Sequence, residues 1–146
     1  MGAAAASFSI DFPIARAWSF ELGPSFYWTA SPDSSIIQLS AGAGARLYPG
    51  SLFGRSDRSS TDLRGIYLSG GVVGTWQRMS SWSAVDVISV GPALHAGYRL
   101  LIGSGRFYLE PAFGWTALFG TQLQTSGSSF VMNTAFGGGL TAGYRF

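Results

Sequence analysis

The sequence has no cysteine and no lysine, so all nine of its cationic side chains are arginine. The first absence excludes disulfide scaffolds, cysteine-based zinc sites, iron–sulfur clusters and thiol catalysis. Charge of both signs is scarce: Asp, Glu, Lys and Arg together make up 11%, against roughly 25% in an ordinary soluble domain. A water-facing surface would be under-supplied. The formal charge is only +2 and the arginines are scattered, which argues against a nucleic-acid groove. Long hydrophobic runs are missing as well. No stretch of about 18 apolar residues could form a membrane helix, and Pro or Gly interrupts each candidate. Met1-Gly2 followed by Ala3 to Ala6 has neither the charged start nor the long apolar centre of a signal peptide. It reads as the restart of a mature chain, which leaves export open.

What is there points one way. The chain has 146 residues, enough for one domain, 1–146, and too few for two of ordinary size. Hydrophobic residues are 47%, aromatics 15%, and glycine supplies 21 positions, a composition too rich in large apolar side chains for disorder. A chain that is apolar, charge-poor and not helical fits an all-β architecture, a transmembrane β-barrel whose outside faces lipid.

A lipid-facing strand must alternate apolar-out with small or polar-in. Near the C-terminus Phe130, Met132, Thr134, Phe136, Gly138, Leu140, Ala142, Tyr144 and Phe146 share one parity. The other parity is small or polar almost throughout. The same split recurs in Phe107, Leu109, Pro111, Phe113, Trp115, Ala117 and Phe119, and in Trp18, Phe20, Leu22, Pro24, Phe26 and Trp28. Segments 4–12, 36–48, 66–77 and 87–100 follow with less contrast, which makes seven strands. A soluble barrel such as a lipocalin shows the opposite pattern, polar outside and bulky inside.

The connections alternate in kind. Segments 13–16 and 102–106 read as short turns, while 29–35, 78–84 and 120–129 read as Ser/Thr-rich loops at the other end, the outer-membrane arrangement. The exception is 49–64, a solvated polar connection on the short-turn side. Bacterial single-chain barrels have an even strand number. Counting back from Phe146, the first segment descends, so the reading is an antiparallel up-and-down barrel with seven strands visible and an eight-stranded ancestor.

Three descending strands end alike, in Ala43-Gly44-Ala45-Arg46, Ala96-Gly97-Tyr98-Arg99 and Ala142-Gly143-Tyr144-Arg145. Each Arg has inward parity near the turn end, and Asp11, Glu21 and Glu110 point inward at the same level. An unpaired buried charge is very costly, so such a layer is expected to be paired and hydrogen-bonded, a structural plug rather than a conduit or a pair of catalytic carboxylates. Above it the inward residues are mostly Gly, Ala, Ser and Thr, as in a narrow lumen filled by its own side chains.

The terminal Leu140-Thr141-Ala142-Gly143-Tyr144-Arg145-Phe146, with Gly91-Pro92-Ala93-Leu94-His95-Ala96-Gly97-Tyr98-Arg99 and Leu63-Arg64-Gly65-Ile66-Tyr67, resembles the strands of small bacterial outer-membrane β-barrel proteins. The resemblance extends over nearly the whole chain and identifies architecture rather than activity. It implies export to the outer membrane of a Gram-negative cell envelope, contact with outer-membrane lipid and lipopolysaccharide, and insertion by the barrel assembly machinery. Tyr144 and Phe146 would carry the assembly signal. It implies no substrate.

Catalytic and metal sites find little support. His95 is the only histidine, its parity is inward, and no nucleophile–base pair can be assembled on one face. One His without Cys leaves too few ligands for a transition metal, and no cofactor is indicated. The Gly-rich runs 42–44 and 137–139 do not lead into helices, so they serve close packing and curvature rather than phosphate binding. Trp28, Trp76, Trp82, Trp115 and Phe119 read as one aromatic girdle at the loop end. Trp18, Tyr98, Phe107, Tyr144 and Phe146 read as a second at the turn end. The expected function is non-enzymatic, a structural or surface-interaction barrel with a filled lumen. A narrow porin-like channel for small solutes is the alternative, and a lipid-modifying enzyme a more distant one.

Overall fold

The computed structural model describes residues 2–15, 17–50, 65–81, 84–102, 107–124 and 127–144. They form one antiparallel sheet of eight strands: β1 (Gly2–Ser7), β2 (Ile10–Ala15), β3 (Trp18–Ser31), β4 (Ser34–Leu47), β5 (Gly65–Ser80), β6 (Ala84–Ile102), β7 (Phe107–Gln124) and β8 (Gly127–Tyr144). The order across the sheet is β1, β3, β4, β5, β6, β7, β8, with β2 also beside β3. From β2 to β8 it is an up-and-down meander, in which strands adjacent in sequence are adjacent in space, and β1 lies in line with β2 beside β3. Among the described residues no helix is long and apolar enough to cross a membrane.

The register explains why seven alternating segments become eight strands. β1 pairs Ser7 with Ser25 and β2 pairs Ile10 with Leu22, so nothing is inserted between them. The Phe8 amide still donates to the Pro24 carbonyl at 3.1 Å, but Pro24 has no N–H to return. A missing donor on the neighbour thus splits one line of chain in two. The β6–β7 ladder lapses in the same way beside Pro92 and Pro111, resuming at Ala93↔Thr116 and Leu100↔Leu109 with its register unchanged. A true irregularity follows between Pro13 and Ala15, where the register shifts as the chain turns into β3.

The polar segments at the other end differ from the loops expected there. β3 and β4 pair down to Ser31↔Ser34, leaving Pro32 and Asp33 as the turn. β5 and β6 pair to Ser80↔Ala84, and β7 and β8 to Gln124↔Gly127. Thr, Ser and Gln satisfy a ladder as well as apolar residues do, but they do not alternate. The period therefore fades before the strand ends.

Among the described residues no ladder joins β8 to β1 or β2, so the sheet is not closed. It is nevertheless strongly curled. Asp11 on β2 and Arg99 on β6 lie four ladders apart, about 19 Å in a flat sheet, yet Asp11 Oδ2 and Arg99 Nη1 are 2.5 Å apart. The convex face carries the apolar parity, including Phe20, Leu22 and Phe26 on β3, Leu39 on β4, Ile66, Leu68 and Val72 on β5, and Val90 and Leu94 on β6. Phe113, Trp115 and Phe119 on β7 and Phe136 and Leu140 on β8 continue it, with exposures reaching 74% at Phe136. The core lies on the concave face at the end where β2 meets β3, where Tyr48, Tyr67 and Ser19 are fully buried.

Candidate functional site

The most strongly built feature is an ion cluster on that concave face. Inward parity places Asp11 on β2, Glu21 on β3, Arg46 on β4, Arg99 on β6 and Glu110 on β7, and the curl brings all five together. Arg46 donates from Nε to Glu21 Oε2 at 2.8 Å and from Nη2 to Glu21 Oε1, a bidentate fork, while its Nη1 donates to Glu110 Oε2 at 3.0 Å. Arg99 donates from Nε to Glu110 Oε2 at 2.7 Å and pairs with Asp11 through Nη1. Arg46 Nη1 also stands 3.7 Å from Asp11 Oδ2. Asp11 and Glu110 each bridge both guanidiniums, so the cluster is one network.

Neutral groups complete it. The Tyr67 hydroxyl donates to Glu110 Oε1 at 2.9 Å, and the Ser19 hydroxyl to Asp11 Oδ1 at 3.1 Å. The Arg46 guanidinium lies 4.6 Å from the Tyr67 ring centroid, and that of Arg99 lies 4.5 Å from Tyr108 and 5.6 Å from Tyr48. Flat, weakly hydrated guanidinium suits such stacking better than ammonium, in keeping with a chain whose cations are all arginine. Glu110 and Arg99 are buried at 2% and 4% exposure. Ions desolvated this far persist only when their hydrogen-bonding capacity is nearly filled.

Two glycines make room for rings. Tyr67 faces Gly97 across the β5–β6 ladder, and a Cβ on Gly97 would stand 2.5 Å from the Tyr67 hydroxyl oxygen. A Cβ on Gly114 would stand 2.1 Å from His95 Cδ2. Each ring therefore lies flat over the glycine of the next strand.

Above the cluster, toward the Pro32–Asp33 turn, the concave face opens into a cavity of about 190 Å³ lined by Glu21, Ser25, Ser40, Ser69 and His95 with intervening Gly, Ala and Val. Gly23, Gly42, Gly44 and Gly71 in its lining contribute no side chain to fill it.

The remaining sequence expectations divide. Arg145, Phe146 and the side chain of Tyr144 lie outside the described residues, as does Trp82. Trp18 is exposed near the start of β3, and Trp28 and Trp76 are partly covered in the hairpin half of β3 and β5. Trp115 stands midway along β7, paired with Leu94 and Phe136, farther from the hairpin end than a girdle residue there would be. Among the described residues no group of three His, Cys, Asp or Glu could hold a metal ion. The residues that sequence reasoning missed are Tyr48, Tyr67, Tyr108 and Ser19. Inward parity next to a layer of charge was their only signal.

No family model matches the chain, and no curated protein or solved structure does.

Proposed function

We propose that the protein is an integral β-barrel of the bacterial outer membrane, non-enzymatic, with a structural or surface-interaction role. On this reading the convex face contacts outer-membrane lipid and lipopolysaccharide, and the ion cluster plugs the periplasmic end. The barrel assembly machinery recognises the final strand with Tyr144 and Phe146. The observation that carries the reading is the reversal of ordinary polarity. Large apolar side chains are exposed along the convex face from Phe12 to Leu140, while the paired ions sit inside. Exposed apolar area of that extent is a liability in water and a requirement in lipid.

The absence of cysteine makes the test direct, because a single introduced thiol can carry a spin label. In vesicles, Phe113→Cys should report high collision with oxygen, which concentrates in lipid, and low collision with a water-soluble nickel chelate. Ser25→Cys, on the concave face, should not share that lipid-facing profile. Equal access of the nickel chelate to both positions would sink the membrane reading. The cavity above the cluster favours a second reading, a narrow solute channel. Steady single-channel openings in planar bilayers would put it first.

A further inference from the structure

We infer that the concave-face cavity is a binding site for a small uncharged polyol. The inference goes beyond the membrane reading and rests on the curl of the sheet, so either can fail without the other.

The cavity's polar groups lie in two cross-strand rows. Ser25 and Ser40 are partners across β3 and β4, with Thr75 opposite Ser40 on β5 but outside the lining, and Ser69 and His95 are partners across β5 and β6. Ser40 Oγ accepts from the Thr75 hydroxyl and from Gln38 Nε2, both at 3.2 Å. With both lone pairs engaged, its own proton is left to donate elsewhere, and Ser40 lines the cavity. Ser25, Ser69 and His95 make no hydrogen bond to another described residue, so each can donate or accept. Ser25, Ser40 and Ser69 are half-buried and His95 is exposed, so a ligand can reach these groups and replace the water they otherwise meet.

The chemistry of the lining selects the ligand class. Its carboxylate, Glu21, has both oxygens engaged by Arg46, so no uncommitted charge meets an ion. Burying a cation or an anion there would go uncompensated. Hydroxyl groups match hydroxyls and imidazole in both hydrogen-bonding senses, and Ala43, Val73, Ala93 and glycine backbone offer surface for C–H groups. At about 190 Å³, and about 30 Å³ of liquid per water, the space replaces a handful of waters, which suits a polyol of three to five carbons.

His95 is the only histidine, so its labelled imidazole gives a single resonance in micelles. Erythritol is expected to shift that resonance saturably, with acetate and tetramethylammonium producing no saturating shift. Gly42→Leu should abolish the response. A Cβ there meets nothing nearer than 3.7 Å, and the rest of the side chain enters the cavity. Ser40→Ala, which adds no volume, should raise the half-saturating concentration about threefold to tenfold, the worth of one neutral hydrogen bond. No saturation with erythritol, a response that survives in Gly42→Leu, or saturation by either ion over the same range would overturn the proposal. If Gly42→Leu does not fold, an unchanged half-saturation in Ser40→Ala would do so.

Discussion

Within a few residues along β4 the concave face passes from full to hollow. Arg46 and Tyr48 are buried in a network of ions and rings, whereas Gly44, Gly42 and Ser40 border a cavity. Backbone and ladder are the same in both stretches, since β3, β4 and β5 pair without a break from Ser35 to Leu47. Side-chain volume at inward positions makes the difference, and so the two regions should respond differently to substitution.

The largest effect is expected at the centre of the filled region. Glu110→Gln leaves two buried guanidiniums short of a negative partner, and should lower stability by about 3–5 kcal/mol, less where water can enter. Urea midpoints in one detergent measure it. A midpoint close to wild type would show that the cluster is not a plug. Tyr67→Phe removes only the hydroxyl that donates to Glu110. It should cost about 1–3 kcal/mol, and the same unfolding series decides whether the phenol matters beyond its ring.

Smaller effects sharpen the contrast. Arg78→Gln at the half-exposed pair with Asp86, 3.8 Å apart, should change stability by no more than about 1 kcal/mol. Ser25→Ala in the hollow region should stay within about 0.5 kcal/mol, because its hydroxyl has no partner whose loss would cost anything. If Ser25→Ala matched Glu110→Gln, the division between a filled end and a hollow middle would be wrong.

Much of this contrast was legible in the sequence. Strict alternation across Phe107 to Phe119 marks which face of β7 is apolar, and the same parity turns Glu110, Arg46 and Arg99 to the other face. Which Arg meets which carboxylate was not legible. Arg46 and Glu110 are 64 residues apart, and only the curl brings them together. The strand ends were hidden where Ser, Thr and Gln replace the apolar parity. The rings of Tyr67 and His95 were hidden because their seats, Gly97 and Gly114, are defined by what they lack.

The separation of Arg46 from Glu110 also bears on the order of folding. Every ladder joins consecutive strands except β1 with β3, and the connection between β4 and β5 is the one long link, so hairpins can zip from local contacts at little loop-closure cost. Arg46 can meet Glu21 within one hairpin and Arg99 can meet Glu110 within another, but the links that join these pairs need three or four ladders to have formed and curled, and the joined cluster is therefore the latch set last. Interactions absent from the transition state act on escape from the native state. Loosening this latch should accelerate unfolding and leave the refolding rate nearly untouched.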